Sequence, residues 1–411
     1  MKTKYTQEQV AFAEATDSKI YLKALAGCGK TTSVMGRIET QQAKGRKIAL
    51  ATSFTNSGVD ALRENLSKRN INNVGVSTIS KLAFDLVNKN LGRNVFIDTQ
   101  KLDELAERAY REVTGLVQPN RRQISEIQRW STFKINVAAH YWDPSISAEA
   151  LEKINSRWIE LRQSQKLLTF DEVMTVGTKF ARPLDGEIIV DEAQDLTRSQ
   201  YLFIEKLAGS KGQVTFVGDP NQSIYRFSGV RGDSGTRNLK TKFAEYELTE
   251  TFRSSQAVVD VANLALAKIQ SFTGSTDVHE LKTNIPGGRV TWTDTDFHEQ
   301  IGLVAKQLKP GDTLLARTKR ELDAVMHSPE MSMRFSDALS WHQDNQNLPF
   351  RFMTIHKSKG LEFENTVHVM GVTKDGFEEM KNIEDLSLLY VALTRAKDSL
   401  HIYNTDIERP F

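Results

Sequence analysis

Lys30 and Thr31 sit near the end of Ala24-Leu25-Ala26-Gly27-Cys28-Gly29-Lys30-Thr31-Thr32. Glycines let a backbone wrap close to phosphate oxygens, and successive N–H groups can then point inward. Ala26, Gly27, Cys28, Gly29 and Thr32 are the candidates to supply those groups. Lys30 has the charge and reach for β- and γ-phosphates, and the Thr31 hydroxyl suits Mg²⁺. The strict pattern opens with glycine, whereas Ala24 stands there. A second acidic group, Asp191-Glu192, follows the apolar run Glu187-Ile188-Ile189-Val190. Carboxylates at the C-terminal end of a parallel strand stand where such sheets bind ligands. Asp191 is placed to hold Mg²⁺, and Glu192 to orient or deprotonate an attacking water. Gln222 follows another apolar run, 214–219, and is a candidate sensor of the γ-phosphate. Tyr225 and Phe227, two apart, would form a base-stacking platform, although such pairs are more often core. Gln9 lies three residues after Thr6, which fits a capping box. An amide there could equally pair with adenine.

Elements that would position these groups are legible around them. Ile20-Tyr21-Leu22 reads as a strand into the glycine loop, with helix over 33–39. Residues 47–52 and 74–77 read as further strands, each followed by a helix. Alternation of this kind predicts a parallel sheet flanked by helices, an α/β fold. Over 99–179 strand signals fade and helical periodicity dominates, as in Leu102, Leu105, Ala106, Tyr110 and Val113. That segment mixes Arg121, Arg122, Arg129, Trp130, Lys134, Tyr141 and Trp142. Such mixing can track a nucleic-acid backbone, but a helical subdomain with a tryptophan core is the favoured reading. Residues 290–292, 313–316, 351–354 and 366–370 read as strands of a second α/β unit. Helices are expected over 300–309, 320–327 and 385–394, and a loop over 270–288.

Bulk properties bound the alternatives. A chain of 411 residues can bury two or three cores. Its net charge is +2 with 26% charged residues, so any nucleic-acid groove must be local. Cys28 is the only cysteine, which excludes an intrachain disulfide and a cysteine-based zinc site. Residues 1–10 are polar and lack a signal peptide's apolar core, and no apolar run is long enough to span a bilayer. The expectation is a cytoplasmic protein with no membrane partner, or a viral one acting in host cytoplasm.

Seven segments, in order, carry a resemblance: AGCGKTT, SFTN, VDEAQD, VGDPNQSIYRF, TFRSS, TIHKSKGLEF and YVALTRAK. Together they resemble the UvrD/Rep-like branch of superfamily one helicases, over nearly the whole chain. The resemblance implies two RecA-like P-loop cores, a helical insertion in the first and no large insertion in the second. On that basis residues 1–95 and 183–247 form the first core, 96–182 the insertion and 248–411 the second core. It implies nucleotide held between the cores. Gln9 would recognise adenine, Phe252 would stack on it and Glu362 would contact the ribose. Gln222 would couple γ-phosphate state to DNA, and Arg253 and Arg395 would act as arginine fingers. Phe54, Asn56, Tyr225, Phe227, Thr354 and His356 would line a single-strand path. The implied cofactors are ATP and Mg²⁺, and the implied partners are single-stranded DNA, DNA junctions and replication or repair proteins. The function implied is ATP-dependent 3′→5′ translocation coupled to strand separation. A DNA-stimulated ATPase that strips proteins or remodels junctions is the runner-up, and a non-catalytic binding regulator a more distant one. Phe227 stands where relatives often carry tryptophan, and Ser228 where they carry arginine. Residues 372–377 are expected to turn, with Phe377 a candidate wedge at a duplex junction.

Overall fold

The computed structural model describes residues 5–91, 97–136, 145–225, 243–273, 280–334, 350–373 and 383–405. The chain divides into two compact units. The first gathers 1–22, 31–218 and 225–246, and the second 23–30, 219–224 and 247–411.

The sheet of the first unit is six-stranded, in the order β3-β2-β4-β5-β1-β6. Its strands are β1 (Lys19–Ala24), β2 (Ile48–Ser53), β3 (Gly75–Thr78), β4 (Glu187–Asp191), β5 (Val214–Gly218) and β6 (Ala244–Leu248). β2 pairs in parallel with both β3 and β4, and β4 with β5. Parallel strands covered on both faces read as continuous apolar runs. Ile188, Ile189 and Val190 are accordingly buried throughout. Register sets Ser53 opposite Asp191, so both strands deliver polar residues at the same sheet edge. Helices α1 (Gln7–Glu14), α2 (Lys30–Ala43), α3 (Asn56–Lys68) and α4 (Ile79–Leu91) occupy the interval up to residue 91.

Four helices fill most of 99–180: α5 (Thr99–Thr114), α6 (Arg121–Asn136), α7 (Ala148–Ser164) and α8 (Phe170–Phe180). Leu102, Leu105, Ala106, Tyr110, Ile127, Ile154 and Trp158 form a core of their own. Trp158 is 1% exposed and its indole N–H donates to the Leu102 carbonyl at 3.1 Å. Helix α8 behaves differently. Its Val173 and Met174 pack with Leu50, Ile79, Ala83 and Val190 in the sheet core. Helix α9 (Arg198–Ala208) adds Phe203 and Leu207 to that core.

The second unit holds a five-stranded sheet, ordered β11-β10-β12-β13-β9. The strands are β9 (Arg289–Asp294), β10 (Thr313–Ala316), β11 (Arg351–Thr354), β12 (Val367–Thr373) and β13 (Ser399–Thr405), and every pairing is parallel. A smaller parallel pair joins β7 (Glu250–Thr251) to β8 (Lys282–Thr283), and only β8 falls inside the span expected to be loop. The helix Gln256–Thr273 also runs three residues past the start of that span. β13 goes unassigned in a reading by apolar runs, because His401 and Asn404 interrupt Leu400, Ile402 and Tyr403. The helix Ile383–Leu393 is buried nearly all round, with Leu386, Tyr390, Val391 and Leu393 fully enclosed. The turn expected at 372–377 leaves the described residues after Thr373, and Phe377 lies outside them.

Candidate functional site

In the second unit, the glycine loop is held in shape by its surroundings. Gly27 and Gly29 have φ of 74° and 76°, the left-handed region that glycine enters without penalty. A Cβ built on Gly27 would lie 2.2 Å from Thr251 Oγ1 and 2.8 Å from Arg253 Cβ, so the loop passes where only hydrogen fits. The Gly27 carbonyl accepts from Phe252 N at 3.0 Å. Ala26 N donates to Tyr390 Oη at 3.2 Å. Cys28 is buried and its Sγ rests 3.8 Å from the Ala26 carbonyl, the packing of a small filler. Helix α2 begins at Lys30 and has no acidic residue in its first turn. Its N-terminal dipole therefore faces no competing carboxylate from that turn.

Asp219 is fully buried, which pushes its carboxyl up; the Lys30 charge and hydrogen bonds from Gln222 and Asn221 oppose that rise. Gln222 Nε2 donates to Asp219 Oδ2 at 2.7 Å, and Gln222 Oε1 accepts from Arg395 Nη2 at 3.3 Å. The Gln222 carbonyl accepts from Lys359 Nζ at 2.8 Å. Arg395, 1% exposed, also donates to the Val391 carbonyl at 2.9 Å and the Leu361 carbonyl at 3.0 Å. Arg253 Nε donates to Glu362 Oε2 at 2.8 Å, and its Nη1 to the Thr394 carbonyl at 2.9 Å. Lys397 also pairs with Glu362, at 3.0 Å. Burial alone would raise the Glu362 carboxyl, but hydrogen bonds and charge from Lys397 and Arg253 prevail and hold it low. Phe252 leaves half its surface exposed, which suits an aromatic face awaiting a partner. Thr354 precedes the short helix Ile355–Ser358. His356 Nε2 stands 3.2 Å from the Ile224 carbonyl, and burial lowers the pKa of that ring.

The first unit carries the acidic pair. Asp191 is buried, and its Oδ1 accepts from Glu192 N at 2.9 Å. Glu192 has φ 55° and ψ 40°, left-handed geometry that costs an L-residue about 1–2 kcal/mol. Its carboxylate accepts from Gln194 Nε2. Phe54 and Tyr225 pack ring to ring at 5.9 Å, tilted by 37°. Asn56 is exposed and opens helix α3, and Phe227 lies outside the described residues. Gln9 is 3% exposed and completes the capping box: its Oε1 accepts from Thr6 N at 3.1 Å. Thr31 and Thr32 stay partly exposed in the first turn of α2. The donor set fits a hard cation, since Thr31 and Asp191 offer oxygen only. Among the described residues, no cluster of three His, Cys, Asp or Glu forms a protein cage for a metal. Mg²⁺ is suited to such a sparse set because it keeps most of its water.

Several partners escape motif reading. Thr251, Tyr390, Asp219, Lys359 and Lys397 each touch a candidate residue, yet only their neighbours advertise chemistry. All five lie inside the quoted motifs, which is the one signal that could have found them.

Comparison with known proteins places these residues in company. An AAA domain model matches residues 7–228, and a UvrD-like helicase C-terminal domain model matches residues 336–406. A probable DNA helicase of Mycoplasma pneumoniae is 31% identical over 247 residues, 54% of this chain and 44% of that one. A putative ATP-dependent DNA helicase of Acanthamoeba polyphaga mimivirus is 26% identical over 441 residues, 97% of this chain and 53% of its own. The ATP-dependent DNA helicase Rep of Escherichia coli is 25% identical over 282 residues, 59% and 40% respectively. The chain thus spans about half the length of the curated relatives it matches.

Proposed function

Because the chain belongs to the UvrD/Rep-like DNA helicases, we propose that it is an ATP-dependent helicase that translocates 3′→5′ on single-stranded DNA. The two parallel sheets would be RecA-like cores, with the helices of 96–182 inserted in the first. The observation that carries this reading is the sharing of one side chain. Gln222 is bonded to Asp219, which feels the Lys30 charge, and to Arg395. One amide therefore connects the phosphate-loop lysine with an arginine from the last motif, as a sensor of phosphate state must.

The backbone of residues 26–32 and Lys30 would hold the triphosphate, with Thr31 and Asp191 holding Mg²⁺. Bound MgATP supplies the phosphoanhydride bond whose cleavage drives the cycle. Glu192 would accept the proton of the attacking water. Arg253 and Arg395 would meet charge that builds as the bond breaks. Gln9, Phe252 and Glu362 would hold the nucleoside, the last while retaining its bond to Arg253. Phe54, Asn56, Tyr225, Phe227, Thr354 and His356 would contact the DNA strand. Tyr225 and Phe54 already form an aromatic pair, and a base stacked on such a surface contributes about 1–3 kcal/mol.

The test is ATP turnover with and without single-stranded DNA, then unwinding of duplexes bearing a 3′ or a 5′ tail. DNA-stimulated turnover and unwinding from the 3′ tail are expected. Turnover indifferent to DNA would overturn the motor reading, and unwinding from the 5′ tail alone would overturn the polarity.

A further inference from the structure

Helix α1 has eight residues, too few to persist unaided in water. It is pinned by two side chains of α2. Arg37 is 1% exposed. Its Nη1 donates to the Phe12 carbonyl at 2.9 Å and the Ala15 carbonyl at 3.1 Å. Its other edge forks onto Glu187, with Nε 2.7 Å from Oε1 and Nη2 3.3 Å from Oε2. Glu187 opens β4, the strand that ends in Asp191. The Arg37 guanidinium also lies over the Phe12 ring, 5.4 Å from its centre. One turn along α2, Gln41 is fully buried. Its Nε2 donates to the Ala13 carbonyl at 2.7 Å and the Ala15 carbonyl at 3.2 Å.

Helix ends leave four carbonyls without intrahelical partners, and these are commonly met by caps or water. Here three carbonyls at the end of α1 are taken by an arginine and an amide of α2, both buried. A buried arginine is costly unless paired, and Glu187 provides the pair. The arrangement therefore fixes α1 as a rigid extension of the phosphate-loop helix. Gln9 is carried on α1, with its side chain oriented by the Thr6 cap. The placement of Gln9 against the body of α2 is thus set by Arg37 and Gln41.

We propose that Arg37 and Gln41 are positioning residues for nucleobase choice: they hold Gln9 at the spacing from α2 that adenine recognition needs. This rests on the reading of Gln9 as the adenine contact. Base selectivity should then depend on residues that touch no nucleotide.

The experiment measures kcat and KM for ATP and for UTP, with single-stranded DNA present, alongside thermal melting. Gln41→Met keeps length and removes both donors, and Arg37→Lys keeps the charge facing Glu187 while losing the fork. For Gln41→Met the ratio of kcat/KM for ATP over UTP should fall by about tenfold, the scale of one lost amide pairing. The fall should come through KM for ATP, with kcat at saturation little changed. Gln9→Ala should show a similar fall, and the double variant Gln9→Ala/Gln41→Met should be no worse than Gln9→Ala. Arg37→Lys should lose selectivity in the same direction while remaining folded. Unchanged selectivity in Gln41→Met, or losses that add fully with Gln9→Ala, would overturn the positioning role alone. Unchanged selectivity in Gln9→Ala would instead remove the base contact, and the inference with it. A fall in melting temperature without any change in the ATP-to-UTP ratio would make the contacts merely structural.

Discussion

Adding one methyl group at Gly27 separates backbone strain from steric conflict, because the chain supplies its own control. Gly27 and Gly45 have nearly equal φ, 74° and 72°. An alanine at either pays the left-handed penalty of about 1–2 kcal/mol. Around Gly45 a new Cβ would meet nothing within 4 Å. At Gly27 it would meet Thr251 Oγ1 at 2.2 Å and Arg253 Cβ at 2.8 Å, and neither is the far end of a flexible chain. Overpacking of that kind costs typically about 1–3 kcal/mol more. Gly27→Ala should therefore cost about 2–5 kcal/mol in all, and Gly45→Ala the strain term only. The clash also falls on the segment that carries Phe252 and Arg253. ATP turnover should collapse in Gly27→Ala and stay near wild type in Gly45→Ala. Adding Thr251→Ala removes the nearer obstacle and leaves the Arg253 Cβ, so it should restore stability in part. Urea unfolding and steady-state ATPase on the wild type and the three variants decide the matter. Equal behaviour of Gly27→Ala and Gly45→Ala would refute the argument, since it would show that the loop relaxes freely away from Thr251.

Other expectations follow from the same geometry. Glu192→Gln should bind nucleotide in a fluorescence titration yet lose hydrolysis, and near-normal turnover would remove the base assignment. Arg253→Ala should lower kcat far more than it raises KM, by about 10³ or more if it acts as a finger; a change confined to KM would assign it to ground-state binding. Arg395→Ala should cost more stability than Arg253→Ala, visible in melting, because it empties a fully buried site and strips the donor from two carbonyls, Val391 and Leu361, where Arg253→Ala strips it from Thr394 alone. Burial, with the His368 and Arg289 charges, lowers His401 from 6.5 to about 4. The folded state then holds His401 neutral where the unfolded chain would protonate it, so stability is full above pH 6.5 and declines as pH falls toward about 4. His401→Gln should flatten that decline in melting temperature, and an unchanged slope would place the effect on other groups.

Local chemistry was legible where residue type and neighbourhood coincide. The glycine loop, the acidic strand end and the β2–β4 core follow from apolar runs that end in polar residues. What the sequence withheld is contact across long separations. Nothing beside Gly27 announces Thr251, more than two hundred residues away, as its ceiling. Helix α8 has the same periodicity as α5, yet Val173 and Met174 pack on the sheet while Leu102 and Leu105 pack on Trp158. Hydrophobic spacing tells which face is buried, not what buries it. Gln9 was open between cap and base contact, and the cap is present without deciding the second role. Glu192 shows the limit most plainly, because a left-handed glutamate has no signature in sequence.

The order of strands in the first sheet has a consequence for synthesis. β1 is made before the other strands of its sheet, yet its place is between β5 and β6, which end at residues 218 and 248. A ribosome adding about 5–20 residues per second would leave Ile20-Tyr21-Leu22 without its neighbours for roughly 10–40 s. During that time β2, β3 and β4 can assemble, but the strand leading into the phosphate loop has no slot to enter. The glycine loop that follows β1 is therefore anchored late, and no truncated product shorter than β5 can hold it in place. Nascent chains stalled before residue 214 would expose Ile20-Tyr21-Leu22 as a sticky apolar strand, a natural target for chaperones.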